Sequence, residues 1–378
     1  FNNNMDVVRS VYMLFVLVSF LFVASDEFYD NYKVNINTKR CVCETNQKFL
    51  SIALDSGLIR HHWENFDFTS EKLHNLAKAL APAYLRIGGT EEDFLLFDPK
   101  IVHAENPSDD VLAQDRRINS HPMSHRGPYT NFTMTIRDVD NIFTFAKEAD
   151  LSIIFGLNVL LRDSNTQNWN STNAQQLMKY ITGRGFKCDW ELGNEPFDLH
   201  GLVNWTITGK ELAADFKIFR QLLNDHPEYG DMIFGPDVSS PWRPPLRNNF
   251  LKEFLLNINR SIDAMTYHQY YTNNQANVTE FYNPVILDAL ITEMQQVENI
   301  MIESGTSSIE LWLGETSSAY GGGVPGVSNS YVAGFMWLDK LGVAARLKHK
   351  VVMRQTFYGG WYSLINRNTL DPFPDYWS

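Results

Sequence analysis

A chain of 378 residues, 44% of them apolar, can bury a core of barrel size, which excludes disorder as its default state. A net charge of −12 excludes a surface made for the phosphate backbone of nucleic acids, and an aromatic share of 13% fits a soluble enzyme rich in rings. Three cysteines, Cys41, Cys43 and Cys188, form no framework: the number is odd and two are separated by a single residue. With no Cys-x2-Cys, and with His121 and His125 the one His-x3-His spacing, on a Pro-containing stretch, neither a metal site nor a cofactor is expected.

In chain order, Arg9 precedes an apolar run over 11–23 closed by Ala24 and Ser25. The run is shorter than the ~20 residues of a spanning helix, so residues 1–25 read as a secretory signal peptide, with leader residues before Met5. Five Asn-x-Ser/Thr sequons, at Asn131, Asn170, Asn204, Asn259 and Asn277, agree with export, so a secreted, extracellular-matrix or lysosomal location is expected. Residues 26–46 are expected to supply an accessory β-strand.

From residue 47 to 378 short β-branched and aromatic runs alternate with longer helix-periodic, charged stretches. Strands are predicted at 49–54, 84–87, 151–157, 189–192, 232–234, 264–267, 309–313 and 351–356. Helices are predicted at 70–80, 136–149, 173–182, 210–224, 248–256, 283–304 and 331–345. Eight strands with seven crossovers make a (β/α)8 barrel of class α/β, and 101–130 reads as an exposed loop. Pro372 to Trp377 look like the start of an eighth helix, which implies a barrel truncated before that helix. The competing doubly wound sheet has only the spacing Gly321, Gly323, Gly326, which starts several residues past its strand and carries Pro325.

In such a barrel, catalytic groups sit where strands end. Retaining hydrolysis of a glycosidic bond needs two carboxyl groups about 5 Å apart, one delivering a proton and one attacking the anomeric carbon. Trp190-Glu191-Leu192-Gly193-Asn194-Glu195-Pro196 delivers Asn194 and Glu195 at the end of the fourth strand, and Leu311-Trp312-Leu313-Gly314-Glu315 delivers Glu315 at the end of the seventh. Glu195 is therefore the candidate general acid/base and Glu315 the candidate nucleophile. Among other acids, Asp237 is read as orienting a loop, Glu91 and Glu92 as a solvated turn, and Glu191 as a barrel-layer group. His268 and Tyr270 lie where the sixth strand ends, within reach of a nucleophilic carboxylate, as do Tyr267 and Tyr271 unless they only pack.

The runs Ala83 to Thr90, Trp190 to Pro196, Gly235-Pro236-Asp237-Val238, Leu313 to Gly323 and Ala333 to Gly342 resemble the signature segments of the heparanase family, from about Phe49 to the last residue. The resemblance implies an endo-β-glucuronidase that cleaves heparan sulfate, with Glu195 matching the family's proton donor and Glu315 its nucleophile. It also implies substrate contacts from Asp55, Thr90, Asn194, His268, Tyr270, Tyr320, Gly321, Gly322 and Tyr362. The implied partner is heparan sulfate or a related uronic-acid polysaccharide, with no nucleic acid, and with membranes approached only through substrate proteoglycans.

The sequence also departs from the family. The basic clusters beside Asn131 and after the Gly-Pro-Asp-Val segment are thinned, leaving Arg86, Arg243 and Arg247 as a local patch; the loop before the third unit is short; and the resemblance implies a C-terminal β-sandwich of which most is expected to be missing from this sequence. Two alternatives follow: a non-catalytic glycosaminoglycan-binding relative, and a β-glucuronidase acting on a less sulfated uronide.

Overall fold

The computed structural model describes residues 41–102, 129–242 and 245–378, together with 33, 35, 36 and 39. Everything below concerns the unit Cys43–Ser378. The signal peptide, most of 26–46, the centre of the 101–130 loop and Arg243 lie outside the described residues.

Among the described residues there are ten strands: β1 Leu50–Asp55, β2 Ala83–Gly88, β3 Leu95–Phe97, β4 Phe132–Met134, β5 Leu151–Leu157, β6 Asp189–Leu192, β7 Ile233–Ser239, β8 Ala264–Asn273, β9 Glu310–Tyr320 and β10 Val352–Arg354. Eight close into a barrel in the order β1-β10-β9-β8-β7-β6-β5-β2, every pair parallel. These are the eight predicted units in the predicted order. The two extra strands, β3 and β4, form a small parallel sheet flanking the 101–130 loop. Three residues each, they are too short to leave a periodic signal.

The helices are α1 Gly57–Arg60, α2 Glu71–Lys78, α3 Ile136–Glu148, α4 Thr172–Gly183, α5 His200–Val203, α6 Gly209–Asp225, α7 Pro245–Asn257, α8 Pro284–Glu303 and α9 Tyr331–Arg346. Their starts follow from local chemistry. Thr135 with Asp138 opens α3 and Thr208 with Glu211 opens α6 as reciprocal capping boxes, which satisfy amide donors that a helix's first turn leaves unpaired. Along α3, Val139, Ile142, Phe143 and Ala146 recur every three to four residues and bury one stripe against the barrel. At the far end of the chain, Pro374–Trp377 is a single 3-10 turn whose Asp375 carboxylate receives a hydrogen bond from buried Arg354.

Three strands differ from their predicted limits in a way that matters for the site. β7, β8 and β9 each run past their predicted ends, to Ser239, Asn273 and Tyr320. The polar residues placed beyond those strands, Asp237, His268 and Glu315, therefore lie within them. Polar identity hid the continuation, because a barrel mouth buries polar side chains that a one-dimensional pattern assigns to a loop. Between β8 and β9 the register slips once: Tyr267 pairs with Leu313 and His268 with Glu315, so Gly314 is the extra residue. A Cβ at Gly314 would lie 2.5 Å from an Asp237 carboxylate oxygen, so only glycine admits that side chain.

The barrel interior is apolar at its N-terminal end and charged toward the mouth. Tyr84, Ile154, Phe234, Trp312 and Met353 form the apolar plug, with the Phe234 and Trp312 rings 4.4 Å apart. Two residues beyond Tyr84 on β2, on the same face of the strand, comes Arg86.

Candidate active site

Arg86 organises the site. It is completely buried, and its guanidinium reaches three partners: Nε donates to Glu191 Oε2 at 2.6 Å, Nη1 to Glu315 Oε2 at 2.9 Å, and Nη2 to Asn194 Oδ1 at 3.0 Å. The expectation that Arg86 belongs to a surface basic patch is thus corrected: a strand between two neighbours, above an apolar plug, has no route to solvent for this side chain. Burial opposes its charge, but Glu191, Asp237 and Glu315 outweigh that and keep it protonated.

Glu315, on β9, is gripped at both oxygens. Oε2 accepts from Arg86, and Oε1 accepts from Tyr270 Oη at 2.7 Å. Tyr270 comes from β8, and its ring lies 6.2 Å from that of Tyr362 and nearly parallel to it. Two donors from different strands thus fix the direction of this carboxyl group.

Glu195 is held differently. It lies just past β6 with φ +48, in the left-handed region that a non-glycine residue rarely occupies. Its backbone N–H donates to Asp237 O at 3.0 Å, and its carbonyl accepts from Asp198 N at 2.8 Å. Asp198 in turn receives Arg247 Nη2 at 2.6 Å and the Ser239 hydroxyl, so a clamp from β7 and α7 fixes the turn that aims Glu195. The Glu195 carboxylate contacts His268 Nδ1 at 2.9 Å, and the other ring nitrogen, Nε2, meets Asp237 Oδ1 at 3.2 Å. Burial alone lowers the imidazole's pKa, but Glu315, Asp237 and Glu195 raise it to about 10, so His268 is a cation bridging two acids.

The remaining expected contacts divide into a buried wall and a rim. Asp55 ends β1, accepts from Gly57 N at 2.8 Å and Gln355 Nε2 at 3.1 Å, and burial followed by the charges of Glu315 and Glu91 pushes it up to about 7. Tyr362 is buried beside Tyr270. Thr90 starts the 3-10 turn Thr90–Phe94 and is half-buried. Tyr320 and Gly321 are exposed on the rim beyond Glu315, with the Tyr320 ring 6.5 Å from Tyr270, while Gly322 is buried and accepts from Trp361 N at 2.7 Å. Asn194, Asp55, His268, Tyr270 and Tyr362 are thus gathered around Glu195 and Glu315. Thr90, Tyr320 and Gly321 lie at the edge, with no hydrogen bond to either glutamate.

Of the four tyrosine and histidine candidates on β8, Tyr267 and Tyr271 face away from the site: Tyr267 Oη pairs with His349 at 2.8 Å and Tyr271 Oη donates to Asp339 at 3.0 Å. The solvated turn expected at Glu91 and Glu92 is corrected. Both are buried in the Thr90–Phe94 turn, Glu91 accepting from Arg60 Nε at 2.7 Å. Beside them Asp93, pushed up to about 7 mainly by burial, accepts from Asn194 N and Val159 N at 3.0 and 3.1 Å and so anchors the backbone that carries Asn194. Arg86 and Asp93 were missed from sequence. Arg86 had a signal, a lone charge in an otherwise apolar strand; Asp93 had none.

A closed parallel barrel with two glutamates brought to its mouth by β6 and β9 defines a glycoside-hydrolase barrel. The model of glycosyl hydrolase family 79, N-terminal domain, matches residues 31–342, and the chain belongs to that family. Among curated proteins it is similar to heparanase of Bos taurus, 38% identical over 366 residues that cover 90% of this chain and 66% of the relative. It is also similar to the hyaluronoglucuronidase of Hirudo nipponia, 33% identical over 358 residues, 91% of this chain and 71% of the relative. The chain thus spans about two thirds of the length of these relatives. Among solved structures, the 4-O-alpha-L-rhamnosyl-beta-D-glucuronidase of Fusarium oxysporum 12S superposes with a TM-score of 0.61 over 89% of this chain and 68% of its own, at 16% identity, a likeness of fold.

Proposed function

We propose that the protein is a retaining endo-β-glucuronidase that hydrolyses internal glucuronosyl bonds of heparan sulfate or a related uronic-acid polysaccharide. The observation that carries the reading is the contrast between the two glutamates: Arg86 and Tyr270 occupy both oxygens of Glu315, whereas among the described residues one contact, from His268, holds the Glu195 carboxyl group. A carboxylate fixed between two donors is ready to attack, and a second one on an adjustable partner is suited to exchanging a proton.

In this reading Glu195 gives its proton to the glycosidic oxygen as a Glu315 oxygen bonds to the anomeric carbon and the carbon–oxygen bond to the leaving sugar breaks. Glu195, now a carboxylate, takes a proton from water. That water attacks the same carbon, the bond to Glu315 breaks, and both carboxyl groups return to their starting states. Asn194, fixed by Arg86, is placed to meet a sugar hydroxyl; Asp55, Thr90, Tyr320, Gly321, Gly322 and Tyr362 line the approach. The apolar leader and the five sequons support a secreted or lysosomal enzyme that meets membranes only through proteoglycans.

One observation favours a less sulfated substrate. Arg60 and Arg247, toward the mouth, are each committed to a carboxylate, Glu91 at 2.7 Å and Asp198 at 2.6 Å, on a chain of net charge −12. Digestion of labelled heparan sulfate and hyaluronan by wild type, E315Q and E195Q decides both questions. Cleavage by wild type with the product's β configuration first formed, and loss of cleavage in E315Q, is expected; cleavage by E315Q at the wild-type rate removes the nucleophile assignment.

A further inference from the structure

Resting on that reading of Glu315, we infer that Glu92 is a positioning residue: a buried, proton-bearing carboxyl group set beside Arg86 that leaves the guanidinium's charge to Glu315.

Glu92 has no exposure to solvent, and no described donor lies within hydrogen-bond distance of either of its oxygens. Its nearest cation is Arg86, with Nη2 at 3.9 Å, and that guanidinium already donates to Glu191, Glu315 and Asn194. The space it occupies is made for it. β5 carries Gly156 at this level, where a Cβ would stand 2.1 Å from a Glu92 oxygen, so the barrel accepts the glutamate only because the strand beside it has no side chain.

The groups facing this pocket are Arg86 from β2, Asp93 beside Glu92 itself, Glu191 from β6 and Asp237 from β7, with His268 on β8 and Glu315 on β9 completing the charged layer; β5 contributes only the backbone of Gly156. Two cations, Arg86 and His268, thus stand among Glu92, Asp93, Glu191, Asp237 and Glu315. Five ionised carboxylates would leave that dry layer with three uncompensated negative charges. Asp237, between Arg86 and His268, is held below the usual carboxylate range despite its burial, and Glu315 has two donors. The groups left to carry protons are Glu92, which burial pushes well up, Glu191, which burial pushes up to about 8, and Asp93, which burial pushes up to about 7. Of the three, Glu191 has the 2.6 Å bond to Arg86 and Asp93 has two backbone donors, while Glu92 has neither. Were Glu92 to ionise, it would compete with Glu315 for Arg86, so its proton, together with that of Glu195, sets the alkaline edge of activity.

The test is Glu92→Gln, which keeps shape and neutrality. The expected result is kcat within about twofold of wild type at the optimum, unchanged KM, and an alkaline limb of the pH–rate profile displaced upward by at least half a pH unit. A limb that coincides with wild type, or a tenfold loss of kcat on the acid side, overturns the inference. Infrared difference spectroscopy of the full protein, wild type minus E92Q, gives an answer even if no substrate is turned over or the variant is inactive. A protonated-carboxyl band at neutral pH is expected, and its absence is a refutation. Failure of the underlying reading is separate, since it shows as persistent cleavage by E315Q.

Discussion

Arg86 and Glu315 lie 229 residues apart in the chain and meet through a 2.9 Å hydrogen bond inside the barrel. The same guanidinium holds Glu191 and Asn194, so one side chain ties β2, the end of β6 and β9 into a single charged unit. Four predictions follow from how that unit and its supports are built.

Replacing Arg86 with methionine removes the cation and leaves Glu191, Glu92 and Asp237 buried around an apolar side chain. A buried ion pair that loses one member costs about 3–5 kcal/mol of stability, and the change is expected at that size in chemical denaturation. Arg86→Lys restores a charge without the planar fork that serves three acceptors, so activity should fall roughly 100-fold with a smaller stability loss. Wild-type turnover in the lysine variant would show that the fork is not needed.

Tyr270→Phe deletes the hydroxyl that donates to Glu315 Oε1 at 2.7 Å and keeps the ring against Tyr362. A hydrogen bond to a charged group is worth about 1.5–3 kcal/mol, which corresponds to a loss of about 10–100-fold in kcat/KM. Thermal unfolding should change little, and steady-state kinetics on a labelled polymer reads the effect.

Stability should fall as pH rises from about 6.5 to about 10. The folded pKa of His268 is raised to about 10 from 6.5, so its contribution is complete below 6.5 and lost as pH climbs through the folded value. Glu191, raised to about 8, and Asp55, raised to about 7, have the same sign, because the folded state again binds the proton more tightly. His349 has the opposite sign: lowered to about 4 by burial, it withdraws stability as pH drops from 6.5 toward 4. Melting temperatures across this range check the pattern, and a curve that rises between pH 7 and 9 contradicts it.

Arg247→Ala should separate positioning from folding. Asp198 loses its partner, and the turn that keeps Glu195 at φ +48 loses part of its clamp. The pair is partly exposed, so the stability change should stay at about 1 kcal/mol or less. With Glu195 in its proposed role, kcat should fall roughly tenfold with KM nearly unchanged. An unaltered kcat would show that the remaining Ser239 contact suffices.

How much of this was legible beforehand depended on the range of the interactions. The eight barrel strands and their order, the seven longer helices that lie between them, and the two glutamates were visible because each is written locally: apolar runs of strand length, helix-periodic stripes, Asn-Glu-Pro and Gly-Glu at the ends of apolar runs. The charged layer was not, because nothing near Arg86, Glu92 or Asp237 in sequence says which strands will stand beside them. Barrel closure places β2 next to β1 and β5, and across the interior from β7 and β9. Only that arrangement turns an arginine that looked like surface into the partner of Glu315, and a pair of acids that looked solvated into buried groups. The sequence by itself determined the class of fold and the two candidate carboxyl groups. The tertiary structure decided their surroundings, because side-chain charge and protonation respond to neighbours in space, within a few ångströms, wherever the chain brings them from.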